Sequence, residues 1–167
     1  MTSAASNIMI ALDRMASGGL TVDDLPADPP GVRVELIEGS LVVAPLGDVN
    51  HQAILMRLCA RLIATVPEDL EVLPGVNVIL GSRTLVIPDI AVVDASRQVH
   101  DGLGVGPEGL HLVVEVTSRS TRHHDMSTKR VLYRSWGVSY LIVDRSPGDV
   151  VMHVEGVLPD WAQVLLP

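Results

Sequence analysis

The segment LHLVVEVTS, residues 110–118, restricts the fold of this chain more than any other stretch. Its apolar side chains occupy both faces of an extended strand, which is typical of a sheet covered by other layers on each side. Glu115 interrupts this apolar run. An ionised carboxylate in such surroundings loses several kcal/mol of hydration unless a partner compensates it. We therefore expect a covered sheet and a specific partner for Glu115.

The length and the cysteine content of the sequence favour a single domain in a reducing compartment. The chain has 167 residues, enough to bury a substantial core. We predict an N-terminal arm over residues 1–19 and one domain over residues 20–167. The lone Cys59 excludes an intramolecular disulfide. No window is apolar enough to span a membrane and no basic region precedes the first apolar stretch, so we predict a cytoplasmic protein.

Hydrophobic periodicity predicts short strands interleaved with two main helices. The expected helices cover about residues 50–65 and 122–136, the second ending at Gly137. The expected strands are VRVELIE, LVVAP, residues 71–80 and 85–93, the opening segment, SYLIVD and VVMHVEG, with turns at Gly39-Ser40 and Gly81-Ser82. This order predicts an α/β fold in which helices flank a mixed central sheet and the first two strands add an N-terminal hairpin.

A second acid lies in VIPDIAVVD, which also reads as a strand. Side chains alternate along a strand, so Asp89 shares a face with Ala91 while Glu115 shares one with Val113. If the two strands are neighbours with these faces on one side, the carboxylates repel each other in a low-dielectric pocket. A shared proton could relieve the repulsion. A divalent cation does so better, and hard oxygen ligands suit Mg²⁺ or Mn²⁺.

Two further features could complete such a site. Glu35, in VRVELIEG, lies in another short strand with aliphatic neighbours. Asp125, Lys129 and Tyr133 follow one another at i, i+4 spacing and form one stripe on a helix. A lysine beside a carboxylate-bound metal could orient water and stabilise negative charge that develops on phosphorus.

Each acid also has a purely structural interpretation. Asp89 follows a proline and could end a turn. Glu115 could form a structural ion pair with Arg119 or His111. Glu35 could lie on the solvated face of a hairpin. These alternatives remain open at the level of the sequence.

The helix that carries Lys129 has an alternative interpretation of its own. Asp125 lies four residues before Lys129, and such a helix pair stabilises by about 0.2–0.5 kcal/mol without any site. The net charge of −8 gives no general attraction to nucleic acid, so phosphate binding requires a local basic patch or a bound cation. The candidate patch, equally explained as a mixed surface helix, consists of Arg119, Arg122, His123, His124, Lys129, Arg130 and Arg134.

In order along the chain, these motifs resemble the restriction-endonuclease-like Uma-two family of the PD-(D/E)xK nuclease superfamily. The resemblance rests on the acids in VELIEG, VIPDIAVV and VVEVTSRST, on the DxxxKxxxY stripe, on His51-Gln52 and on GVSYLIVD. It covers about residues 20–155 and implies a restriction-endonuclease-like core. It also implies Mg²⁺-dependent hydrolysis of DNA and a homodimer.

The resemblance further implies roles for individual residues. Asp89, Glu115 and the carbonyl of Val116 would hold Mg²⁺, with Mn²⁺ as a substitute. Glu35 would be an accessory acid with a potential place among the metal ligands, and Lys129 would be the catalytic cation.

Three more residues are candidates for contact with the substrate. His51 would lie at the start of a helix near the site, and Arg119 and Arg122 belong to the basic patch. The sequence departs from most of the superfamily at Thr117, where a lysine usually follows the glutamate by two residues, so Lys129 must reach the pocket from the helix. We expect a DNA endonuclease; the alternatives are a non-catalytic interaction module with the nuclease fold and a phosphodiesterase for another substrate.

Overall fold

The structure is a computed structural model, described here for residues 19–25, 33–44, 47–97, 99–100, 103–117, 125–146 and 149–166. The strands in chain order are β1 (Arg33–Ile37), β2 (Ser40–Ala44), β3 (Leu70–Pro74), β4 (Val78–Gly81), β5 (Thr84–Val86), β6 (Ile90–Asp94), β7 (Val99–His100), β8 (Gly104–Val105), β9 (Leu110–Val116), β10 (Ser139–Ser146) and β11 (Asp149–Glu155). The α-helices are α1 (Val49–Ile63) and α2 (Arg130–Ser135). Short helices cover Val22–Asp24, Asp125–Lys129 and Asp160–Leu165.

The strands form two mixed sheets. The first sheet has the order β2-β1-β5-β4-β8-β7 and the second sheet the order β11-β10-β9-β6-β3. Neighbouring strands are antiparallel except for β4 with β8 and β9 with β10. The predicted mixed α/β class is confirmed, with the strands divided between two sheets instead of sharing one central sheet.

β9 lies in the middle of the second sheet and is covered on both faces. Every residue of β9 except His111 is buried. On one face, Leu112 and Val114 pack with Leu58 and Leu62 of α1. On the other face, Val113 belongs to a cluster that includes residues of α2 and of the first sheet. The apolar run around Glu115 is therefore a central strand between two layers, as expected.

Two of the crossings of the chain between the sheets divide the two strands predicted over 71–80 and 85–93. The first crossing lies between β3 and β4, where Gly75 has a φ of +63°. The second lies between β5 and β6 and contains Pro88, which lacks the N–H donor that a central strand uses. The Gly75 N–H donates to the Asp89 carbonyl at 3.1 Å and ties the crossings together. Asp89 therefore precedes β6 instead of lying inside a strand.

Both predicted helices are present in part. α1 begins after Asp48, whose carboxylate caps the helix by accepting from the His51 N–H at 2.7 Å. The second predicted helix is not a regular α-helix: its described part is a π-helical turn, Asp125–Lys129, followed by the six residues of α2. Gly137, with a φ of +69°, follows its end as predicted. Among the described helices, none is long and apolar enough to cross a bilayer.

Some predictions fall outside the described part of the chain. These are nearly all of the N-terminal arm and the segment 118–124 with Arg119 and Arg122. They remain predictions.

The hairpin of β1 and β2 positions the first strand that reaches the site. Ile37 pairs with Ser40, so the turn consists of Glu38 and Gly39, one residue earlier than predicted. Both turn residues have positive φ, +51° and +82°, which is the geometry of a tight hairpin turn. A Cβ on Gly39 would lie 2.4 Å from an Arg83 guanidinium nitrogen.

We predict that Gly39→Ala lowers the free energy of unfolding by about 1–3 kcal/mol, because it adds backbone strain and displaces Arg83. Urea denaturation measures the change. Gly75→Ala is the matched control, since it also has positive φ but nothing within 4 Å of the added Cβ, and it should cost less. An equal or larger cost at Gly75 would show that the Arg83 contact contributes nothing.

Candidate active site

The four residues predicted to form the site lie together at the junction of the two sheets. Glu35 comes from β1 of the first sheet, and Glu115 comes from β9 of the second. Asp89 lies at the second crossing, and Lys129 ends the π-helical turn before α2. All four side chains are buried. The solvated position considered for Glu35 is therefore not adopted.

Asp89 and Glu115 are linked by two backbone N–H groups. β6 and β9 pair Ile90 with Val114, and Asp89 and Glu115 are the next residues beyond this pair. The Asp89 N–H donates to Glu115 Oε2 at 3.3 Å, and the Val116 N–H donates to Asp89 Oδ2 at 2.8 Å. The two acids therefore lie close together where β9 meets the segment that precedes β6.

Asp89 is surrounded by donors. Arg33 Nη1 donates to Oδ1 at 2.9 Å, and His51 Nε2 lies 3.0 Å from Oδ2. Burial raises the pKa of Asp89, but the His51 hydrogen bond, the Arg33 charge and the Val116 N–H outweigh burial and lower this pKa to about 2. Asp89 is therefore a carboxylate over the whole physiological pH range.

Lys129 joins the other two acids. Its Nζ donates to Glu35 Oε1 at 2.8 Å and to Glu115 Oε1 at 2.7 Å, while Asp125 Oδ1 lies farther away at 3.8 Å. Glu35 Oε1 also accepts from the Ile87 N–H at 2.7 Å. Asp125, the partner that the helical spacing allowed, is therefore the most distant of the three carboxylates around Lys129. The lysine is a bridge between the two sheets.

Burial and charge shift the pKa values of this bridge. Burial raises the pKa of Glu115, the Lys129 charge opposes this, and the nearby carboxylates add to the rise. Burial alone would lower the pKa of Lys129, but Glu115 and Glu35 overcome it and hold the pKa well above its ordinary value. The ammonium ion is therefore permanent, and the raised pKa of Glu115 favours proton uptake at that carboxylate.

Two buried polar atoms next to these acids make no hydrogen bond to the described residues. They are the hydroxyl of Tyr133 and Nδ1 of His51. Gly47 packs against the His51 ring, and a Cβ there would lie 2.4 Å from Nδ1. Buried polar atoms of native proteins are nearly always satisfied, so these two mark positions suited to water or to a polar ligand.

The structure adds Arg33 to the site, which sequence reasoning missed, and shows the contacts of Thr117 and His111. Arg33 contacts Asp89 but had no assigned role; the available signal was its place two residues before Glu35, on the same face of a strand. Thr117, at the usual lysine position of the superfamily, is buried and donates to Asp144 Oδ1 at 3.0 Å. His111, considered as a partner for Glu115, contacts Asp94 at 2.7 Å instead.

The donors fit a hard divalent cation with few protein ligands. Asp89 and Glu115 offer oxygen atoms from adjacent strands, and Mg²⁺ characteristically keeps several waters beside one or two carboxylates. Within the described residues, no three side chains of His, Cys, Asp or Glu are already grouped around one ion position. The physical reason is that Lys129 and Arg33 lie against these carboxylates. An ion at Asp89 and Glu115 would therefore compete with cations of the protein itself.

Asp89 predicts a specific loss of stability in acid. Its folded pKa, about 2, lies below the ordinary 3.8, so its contribution is complete above pH 4 and is lost as the pH falls from about 4 to about 2. The contribution is about 2 kcal/mol. In urea denaturation between pH 2 and 6, the free energy of unfolding of the parent should fall more steeply in this window than that of Asp89→Asn. The control variant Asp94→Asn should show the same steep fall as the parent. If the free energy of unfolding of the parent fell no more steeply than that of Asp89→Asn, the prediction would be wrong.

Comparisons with known proteins support a nuclease fold. The family described as "Uma2: Putative restriction endonuclease" matches residues 21–164. No curated protein matches the chain. A solved structure from Anabaena variabilis, described as a "putative nuclease belonging to DUF820", is similar with a TM-score of 0.63 and 18% identity. The match covers 86% of this chain and 92% of that one, and at this identity it supports the fold alone.

The Uma2 match spans most of the sequence, and it contains all four buried residues of the site. It agrees with the resemblance drawn from the ordered acids and the DxxxKxxxY stripe. The chain belongs to the Uma2 family of restriction-endonuclease-like proteins.

Proposed function

We propose that this protein is a Mg²⁺-dependent endonuclease that hydrolyses phosphodiester bonds of DNA, with Mn²⁺ able to replace Mg²⁺. The observation that carries the proposal is the close approach of Asp89 and Glu115, linked by backbone hydrogen bonds, beside a buried ammonium ion. The nuclease description of the Uma2 family supports the same reaction class, a hydrolase acting on ester bonds.

The proposed metal ligands are Asp89, Glu115 and the carbonyl of Val116, with Glu35 as a further candidate. When bound, the metal would lower the pKa of a coordinated water and offset the negative charge of the reacting phosphate. His51 orients Asp89 through its Nε2 contact of 3.0 Å. The interlocked hydrogen bonds of Asp89 with the strand of Glu115 keep both carboxylates in place before the metal arrives.

Lys129 supplies a fixed positive charge. Its ammonium ion is held by Glu35 and Glu115, so its position does not have to be established during the reaction. Its third N–H can donate to a phosphate oxygen or to the attacking water. Glu35 orients Lys129 through Oε1, and its Oε2, which makes no hydrogen bond to the described residues, can accept the proton of that water.

The basic residues that could hold the DNA backbone include Arg119 and Arg122, which remain predictions. The surface charge of the whole chain is acidic, so productive binding depends on these local cations and on the metal. A homodimer likewise remains a prediction from the family resemblance.

The first test concerns the metal. We predict that saturating Mg²⁺ or Mn²⁺ raises the melting temperature of the parent by about 5–10 °C, because only the folded state binds the ion. Asp89→Asn should abolish this rise and the heat of binding in calorimetry. Asp94→Asn, at the other end of β6, is the matched control and should retain both. A parent that binds neither ion would leave a non-catalytic interaction module as the better account.

The second test separates catalysis from metal binding. Lys129→Met should reduce the rate of plasmid cleavage at least about 100-fold, because it removes a charge fixed at the reacting phosphate. It should still bind Mn²⁺, which can neutralise Glu35 and Glu115 in place of the lysine. Arg61→Met, on the exposed side of α1, removes one charge far from the cluster and should cleave normally.

The outcome of the second test also discriminates between the remaining alternatives. Equal plasmid cleavage by Lys129→Met and the parent would remove Lys129 from the mechanism. Hydrolysis of a small phosphodiester by the parent, without any cleavage of plasmid, would indicate a phosphodiesterase for another substrate.

A further inference from the structure

We infer that Arg33 is a phosphate-binding residue that exchanges partners: it neutralises Asp89 in the metal-free protein and binds a DNA phosphate once a divalent cation occupies Asp89. This inference rests on the proposed function and adds a residue to it. The exchange would couple metal binding to substrate binding at the entrance of the site.

A single hydrogen bond holds the guanidinium of Arg33. Nη1 donates to Asp89 Oδ1 at 2.9 Å, and the guanidinium makes no other hydrogen bond to the described residues. A guanidinium has five N–H donors, so most of its hydrogen-bonding capacity is unused in this state. A residue that served only to lock Asp89 in place would be expected to use a two-pronged contact.

The exposure of the two partners differs in the way that an exchange requires. The side chain of Asp89 is 2% exposed, whereas that of Arg33 is 24% exposed. Arg33 is the first residue of β1 and shares a strand face with Glu35, whose Oε1 contacts the buried Lys129. The cluster therefore has one cation inside, Lys129, and one at the solvent boundary, Arg33.

Electrostatics opposes two cations at the same carboxylate. A divalent ion bound to Asp89 would repel the guanidinium at short range and would offset the negative charge that held it. Arg33 cannot lose its proton to relieve the repulsion, because a guanidinium stays charged in proteins. It must move toward another anion. The planar fork of arginine matches the oxygen geometry of a phosphate, which the bound DNA would bring to the same entrance.

Lys129 has less capacity than Arg33 for a phosphate of the DNA backbone. Its side chain is buried, and Glu35 and Glu115 already use two of its three N–H donors, which leaves one. Arg33 is thus the described cation of the cluster that has both free donors and access to solvent.

The test uses Arg33→Gln and two binding measurements that do not depend on cleavage. Calorimetry with Mn²⁺ should show about 3- to 10-fold tighter metal binding, because the competing cation is gone. Anisotropy with a labelled DNA duplex in Ca²⁺, a weaker Lewis acid with the same kind of ligands, should show weaker DNA binding. The slope of log affinity against log salt should decrease in magnitude by about 1, as expected for one lost phosphate contact.

The matched control is Arg97→Gln. Arg97 also pairs with a carboxylate, that of Glu71, and is similarly exposed, but it lies beyond the opposite end of β6. It should change neither metal affinity nor the salt slope. An Arg33→Gln variant with an unchanged slope would overturn the inference, even if its metal binding were tighter, since Arg33 would then be only a competitor.

A second variant tests the same exchange if Arg33→Gln does not fold. Asp89→Asn releases the guanidinium without metal, so in EDTA it should bind the duplex about 3- to 10-fold more tightly than the parent. Asp94→Asn removes the same unit of charge at the far end of β6 without touching Arg33, and it should change DNA affinity less than twofold. Equal gains in the two variants would overturn the inference. A parent that binds no Mn²⁺ would instead overturn the proposed function itself, together with this exchange.

Discussion

The ammonium ion of Lys129 is the interaction on which the rest of the site depends. It joins Glu35 of the first sheet to Glu115 of the second, with all three groups buried. Removing such charges from water is expensive, and the mutual attraction in a low dielectric compensates it only when the geometry is good. Distances of 2.7 and 2.8 Å meet that requirement. The two sheets are therefore held at a spacing that one lysine can bridge.

The crossing of the chain from the first sheet to the second explains why Asp89 joins the cluster of Glu35, Glu115 and Lys129. The chain leaves the first sheet after β5 and enters the second at β6, and Asp89 lies on that path. Its N–H contacts Glu115 and its carboxylate accepts from Val116, so the crossing is fastened to β9. In a regular long strand, Asp89 would lie inside one sheet. Its position in the crossing lets it contact both His51 and Arg33. The irregular backbone is thus part of what assembles the candidate site.

The sequence predicted much of this arrangement because its signals are local. The apolar run around Glu115, the amphipathic helix after Asp48 and the hairpin turn at Gly39 depend on periodicity and turn chemistry, and all three are found close to the predicted positions. Alternation of side chains showed which strand faces carry Asp89 and Glu115, but the sequence left open whether the two strands are neighbours. The π-helical turn that ends at Lys129 was not predicted, because an i, i+4 stripe looks the same in a regular helix.

By itself, then, the sequence determined the α/β class, the burial of Glu115 and the set of acids and lysine that characterises the family. Only the tertiary structure decided that the strands divide into two sheets, that Lys129 bridges Glu35 and Glu115 in preference to Asp125, and that Arg33 contacts Asp89. The physical reason is the separation in sequence over which each kind of signal acts. Alternation and helical spacing act between near neighbours in the chain, whereas these ion pairs join residues up to 94 positions apart, and their choice of partner depends on packing that no short segment encodes.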